Sequence, residues 1–155
     1  MLRVAFLTRP TSPALEIVHA VDGSPVHCAL FFADGRTFSS APPAGAAWAS
    51  GLDPAPGAPG STASDWLLLP VPPHVDPARV AAWCDGVQGA RYDWLADVGC
   101  YAGLGVLGEY NCSRVVGGAL VAGGESPTLV ARSGTPRLLF NVCTERWPTA
   151  ALTAV

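Results

Sequence analysis

The sequence predicts an α+β fold, and three observations carry that prediction. The segment 25–40, PVHCALFFADGRTFSS, is an apolar run that meets Asp34-Gly35 and resumes as a second short run, the signature of a β-hairpin. Helix-start chemistry stands at Ser12-Pro13, Asp76-Pro77 and Asn111, each ahead of apolar residues at helical spacing. Half of the 155 residues are hydrophobic and only 14% are charged, which suits one compact domain over 1–155 and excludes a disordered chain.

In chain order, Arg3 to Leu7 is an apolar run of strand length. Ser12 as N-cap and Pro13 at the first helical position open a short helix from about Ala14 to Val21. In the hairpin, period-two alternation puts His27, Ala29 and Phe31 on one face and Cys28, Leu30 and Phe32 on the other. The Pro, Gly and Ala-rich segment 41–64 reads as a surface loop with Trp48 as its only large anchor, long enough to cover a site. Trp66 to Val71 reads as a strand. Asp76 and Pro77 then start a helix that carries Val80, Ala81, Trp83 and Cys84 to about Val87, and QGARYDWLADVG ends it. Asn111 caps a further helix, with Val115, Val116, Ala119 and Leu120 on its buried face. The tail SPTLVARSGTPRLLFNVCTERW holds two short apolar runs with no assigned element.

Composition removes whole classes of chemistry. All nine basic residues are arginines, so Schiff-base and pyridoxal phosphate chemistry and a phosphate-loop lysine are excluded. A net charge of −3 without a basic cluster argues against nucleic acid as partner. The five cysteines (28, 84, 100, 112, 143) are widely spaced with no C-x-x-C pair, which indicates neither a disulfide framework nor a zinc site; no metal and no cofactor is expected. The apolar stretch in MLRVAFLTRP is too short for a signal peptide, and no run reaches the ~18 apolar residues of a transmembrane helix. The expectation is a cytoplasmic protein as encoded, and a phage virion protein would look the same. Gly103-Leu104-Gly105-Val106-Leu107-Gly108 matches the dinucleotide fingerprint letter for letter, but a helix does not follow at once and no acid stands about twenty residues on, so it reads as a turn delivering Cys112.

Cys112 is the candidate nucleophile because it falls at the first turn of its helix, where a thiolate is stabilised. The helix end supplies only ~0.3–1 kcal/mol, less than one pKa unit on a thiol near ~8.5. A second positive group is therefore required. Of the three histidines, His27 has a small neighbour on its own strand face, His19 lies in the short helix without a partner, and His74 lies in a proline-rich loop. Spacing alone leaves two readings open, since an apolar-flanked cysteine also serves as a small core residue and a strand histidine as a structural one.

Three elements in order resemble the circularly permuted branch of the NlpC/P60 papain-like hydrolases. Ser24, His27, Leu30 and Phe31 fit its histidine strand, Gly89, Tyr92 and Asp93 its G-x-x-Y-D element, and Cys112, Ser113 and Val116 its cysteine helix. The resemblance implies a papain-like α+β fold in which the cysteine helix packs against a small antiparallel sheet carrying the histidine. It implies Cys112 as nucleophile, His27 as general base and then acid, and Tyr92 lining the oxyanion site with the Cys112 backbone N–H. The position matching the family's imidazole-orienting residue is Ser39, which departs from a carboxylate and cannot stabilise an imidazolium by charge; Ser40 or a water could share that role.

The function expected on this basis is that of a cysteine peptidase or amidase, cleaving an amide bond in a cell-wall peptide or other acyl-amide through a thioester acyl-enzyme. Two alternatives stand beside it. One is a lipid-directed acyltransferase or thioesterase of the same fold, which an apolar lining beside His27 would favour. The other is a binding or assembly module with a weakened triad, which Ser39 keeps open.

Overall fold

β1 (Arg3–Leu7) is apolar on both faces and takes an interior place in an antiparallel sheet, with β2 (His27–Phe31) on one side and β5 (Trp66–Pro70) on the other. The computed structural model in which this is seen describes residues 1–53, 55, 57–93, 110–132, 134–148 and 151–154. The proposed turn at 103–108 and Cys100 lie outside the described residues. β3 (Arg36–Ala41) returns from β2 across the Asp34-Gly35 turn, β4 (Gly45–Ser50) pairs with β3, and the two-residue β6 (Thr153–Ala154) borders β5. The strand order is β4-β3-β2-β1-β5-β6, with every neighbouring pair antiparallel.

Among the described residues five helices accompany the sheet: α1 (Pro13–Asp22), α2 (Pro77–Val87), α3 (Cys112–Gly123), the short α4 (Thr128–Ala131) and α5 (Pro136–Arg146). Each of the four longer ones starts at a side-chain cap that satisfies an orphan backbone donor. Ser12 accepts from the Leu15 amide, Asp76 from Ala78, Asn111 from Arg114 and Thr135 from Leu138. Proline follows the cap in α1, α2 and α5, where its missing N–H costs nothing.

Both faces of the sheet are buried. On one, Val4, Phe6, Cys28, Leu30, Phe38 and Leu69 pack with Val115, Val116, Ala119 and Leu120 of α3. A fully buried Val or Leu contributes about 1.5–3 kcal/mol, so these positions press α3 onto β2 and β3. α2 closes on the outer side of α3 because that side is glycine; a Cβ at Gly118 would stand 2.8 Å from the Trp83 ring and one at Gly123 2.6 Å from Val80. On the other face, Ala5, Leu7, Ala29, Trp66 and Leu68 are covered by Leu15 of α1 and by Leu52, Ala55 and Ala58 of the chain after β4.

Two parts of this differ from the sequence expectation. The segment 41–64 is not loop throughout, since Gly45–Ser50 forms β4, with Trp48 packed on Phe32 and Phe38 beneath the Arg36 guanidinium and donating to Asp85. The strand is built largely of small residues, so its pairing with β3 rather than its own propensity holds it. The unassigned tail contributes α4 and α5, which pack beside α3. Among the described residues no helix is long and apolar enough to cross a membrane.

Candidate active site

β1 ends, β2 begins and β3 ends at the same edge of the sheet. The register there places Leu7 opposite both His27 and Trp66. The N-terminus of α3 arrives at this edge and brings Cys112 to His27. Cys112 is the first residue of α3, held by the Asn111 cap, whose Oδ1 accepts from the Arg114 amide at 2.9 Å and from Ser113 Oγ at 3.1 Å while its Nδ2 donates to the Gly134 carbonyl at 3.1 Å.

The sulfur of Cys112 has two partners besides the helix end. The Cys28 thiol hydrogen-bonds to it and is the largest cause holding its pKa well below that of an ordinary thiol; burial opposes this, and the charge and hydrogen bond of His27 reinforce it. Cys28 takes the opposite change, its own pKa pushed up first by burial and then by its role as donor to Cys112. The other described cysteines are no competitors as thiolates. Burial raises Cys84 to about 12 and raises Cys143 as well.

His27 is 3% exposed, and its orientation follows from Ser39. Ser39 Oγ lies 2.7 Å from the Cys28 carbonyl, which can only accept, so the hydroxyl proton is committed there. The contact of 3.2 Å between Ser39 Oγ and His27 Nε2 is then donated by the ring. This contact places a proton on Nε2. The Trp66 ring, with its centroid 6.2 Å away at 70°, lies against the imidazole on the same side of the sheet as Leu7. Gly57 closes over the ring. It has φ +77°, and a Cβ there would stand 3.0 Å from His27 Cε1 and 2.4 Å from the Ala41 Cβ.

Tyr92 reaches the site through a chain of backbone bonds. Ala46 of β4 exchanges bonds with residues 89 and 90, Gly89 N–H donating to Ala46 and Ala46 N–H to Ala90, and Tyr110 N–H donates to Arg91. Gly45 permits this approach, since at φ +71° a Cβ would fall 2.1 Å from the Ala90 carbonyl oxygen. The fully buried Asp93 pairs with Arg114 Nη1 at 2.9 Å, tying the first turn of α3 to the Tyr92 segment.

A cavity of about 580 Å³ opens onto these groups. Its wall includes Cys112, His27, Ser40 and Tyr92 on one side and Leu15, Ile17, Val18, Val21, Val26, Ala41, Pro42, Pro59 and Pro136 around the rest. Among the described lining residues the only ionisable one apart from His27, Tyr92 and Cys112 is Asp22, and none is an arginine.

The sequence-predicted residues Cys112, His27, Ser39 and Tyr92 thus converge on one edge, three of them on the cavity wall and Ser39 behind the imidazole. The Ser40 hydroxyl donates to the Tyr110 carbonyl at 2.6 Å, and the hydroxyl contact to the imidazole is that of Ser39. His19 is exposed on α1, and His74 is half exposed and stands 3.4 Å from Glu125. Sequence reasoning missed Cys28 as a member of the site. The signal was present, since strand alternation turns Cys28 away from His27, and that face is the one α3 covers. No protein-family model, curated protein or solved structure matches this chain.

Proposed function

We propose that this protein is a cysteine-dependent acyl-transfer enzyme, a hydrolase or acyltransferase that takes an apolar acyl group from an amide or ester onto Cys112. The observation that carries the reading is the cavity, which joins a depressed-pKa thiol and an oriented imidazole to a wall of aliphatic side chains and prolines. The order of elements resembling the permuted NlpC/P60 hydrolases agrees with it.

The proposed chemistry assigns each of these groups a step. The Cys112 thiolate attacks the carbonyl carbon, and the charge moving to the carbonyl oxygen meets the Cys112 backbone N–H, which has no acceptor within its own helix, and the Tyr92 hydroxyl. His27, protonated at Nδ1, gives that proton to the leaving amine or alcohol as the tetrahedral intermediate collapses to a thioester. Neutral Nδ1 then takes a proton from water, which attacks the thioester, or from an acceptor alcohol or amine. Ser39 holds the ring so that one nitrogen serves both steps.

The wall also discriminates among substrates. A cell-wall peptide carries carboxylates, and the described lining offers them no arginine and one carboxylate, Asp22, that would repel them. An alkyl chain gains about 0.8 kcal/mol per buried CH₂, close to fourfold in rate constant per carbon. The test is turnover of nitrophenyl esters of increasing chain length beside purified muropeptides. Esters whose kcat/KM climbs with chain length, with activity lost in Cys112→Ala, support the reading. Muropeptide cleavage without ester turnover would replace it with the peptidase reading, and no turnover of either would leave a binding module.

A further inference from the structure

We propose that Cys28 and Cys112 form a reversible disulfide when the protein meets a peroxide, so that the junction of β2 and α3 is an oxidative modification site that protects the nucleophile.

The two thiols are neighbours in the core. Cys28, fully buried on the helix-facing side of β2, and Cys112, the first residue of the α3 helix that packs on β2, belong to one buried cluster, near enough for each thiol to act on the other. Cys112 faces the cavity, so a small peroxide reaches its sulfur without the domain opening, whereas Cys28 does not line that wall. This asymmetry assigns the roles. The accessible thiolate is oxidised first, and the sheltered thiol behind it resolves the product. Both frames are held, β2 by the Ser39 bond to the Cys28 carbonyl at 2.7 Å and α3 by the Asn111 cap and the Asp93–Arg114 pair.

The steps balance. The Cys112 thiolate attacks one oxygen of hydrogen peroxide, the O–O bond breaks, and the departing hydroxide takes the imidazolium proton of His27 to leave as water, giving a sulfenic acid. The Cys28 sulfur then attacks the sulfenic sulfur, the S–O bond breaks, and the hydroxide leaves with the Cys28 proton as a second water. One peroxide is reduced, two thiols are oxidised, and a dithiol reverses the change. Without Cys28, a second peroxide would carry Cys112 to a sulfinic acid, which dithiols do not reduce.

Cys143 is close enough to Cys28 for its charge to act on it, so the bond formed must be identified and not only counted. The experiment treats the reduced full-length protein with hydrogen peroxide, blocks remaining thiols with iodoacetamide under denaturing conditions, and maps peptides by mass before and after dithiothreitol. The expected result is a linked pair of peptides holding Cys28 and Cys112, lost on reduction. In Cys28→Ser, and in Cys28→Ala should the hydroxyl disturb folding, Cys112 is expected as sulfinic acid that dithiothreitol does not restore. A wild-type protein in which Cys112 goes directly to sulfinic acid, or in which the linked peptides hold Cys28 and Cys143, overturns the proposal. The readout is thiol chemistry alone, so it stands or falls apart from any acyl substrate.

Discussion

Ser39 accepts a hydrogen bond from His27 Nε2 at 3.2 Å while giving its own proton to the Cys28 carbonyl at 2.7 Å. One hydroxyl thereby fixes the imidazole tautomer and anchors it to the backbone of the strand that carries it. A carboxylate at this position would add charge stabilisation of the imidazolium, but it would also face the Cys28 carbonyl oxygen with no proton to offer.

Ser39→Ala should leave the fold intact and weaken the site. The ring N–H loses an acceptor worth about 0.5–1.5 kcal/mol, so kcat is expected to fall by up to roughly tenfold. His27→Ala, which removes the proton carrier itself, should cost about 10²–10⁴-fold. The comparison is made on the ester substrate that the wild-type protein turns over fastest, with circular dichroism on each variant. Equal losses for the two would mean that Ser39 does more than orient.

The chain segment that crosses the imidazole can be moved by one methyl group. Gly57→Ala combines a left-handed backbone at φ +77° with a Cβ placed 2.4 Å from Ala41 and 3.0 Å from the His27 ring. Strain of this kind costs about 1–3 kcal/mol. Thermal unfolding should register that loss, and the selective reactivity of Cys112 should fall with it as the ring is displaced. An unchanged melting temperature would show that residues near 57 do not press on the site.

How much of this was legible differs by element. The caps Ser12, Asp76 and Asn111 marked their helices within a residue or two, because capping is local and each has one physical cause. The Asp34-Gly35 turn likewise set the β2–β3 hairpin, and with it the faces of His27 and Cys28. β4 was not legible, since GAAWAS carries weak strand propensity and its pairing with β3 and residues 89–90 is tertiary. α5 could have been found, as Thr135-Pro136 repeats the Ser12-Pro13 start signal. The third partner of the thiol needed the helix placed on the sheet before Cys28 could be seen as part of the site.

The Asp93–Arg114 pair should matter to the position of Cys112 more than its place near the surface suggests. Asp93 is fully buried, and Arg114 belongs to the first turn of α3. Arg114→Ala removes a partner from a buried carboxylate, with an expected loss of about 1–3 kcal/mol in denaturant unfolding. The conservative Arg114→Lys should recover part of it. No change in either variant would mean that the carboxylate is satisfied by its remaining partners.

Acid stability has a named contributor at the other side of the sheet. The Arg9 side-chain hydrogen bond, followed by the Thr62 amide, holds the Asp65 carboxyl down at about 2 against the effect of burial. A group depressed in the folded state stabilises at pH above its unfolded value of about 3.9, and that stability is lost as pH falls toward about 2. Melting temperature measured from pH 6 to pH 2 should therefore decline over the lower part of that range, and Arg9→Ala should start lower at pH 6 and decline less, so that the two profiles converge toward pH 2. Coincident profiles for the two proteins would remove Asp65 as the cause.

The most direct measurement is alkylation of the native, reduced protein by iodoacetamide from pH 5 to 9, with the modified cysteine located by peptide mass, repeated on His27→Ala and Cys28→Ala. Cys112 should react selectively below pH 7, and each substitution should move its reactivity up toward the ~8.5 of an unperturbed thiol. A Cys112 that is inert, or that reacts no sooner than Cys84 and Cys143 and is indifferent to His27, would contradict an activated nucleophile at this site.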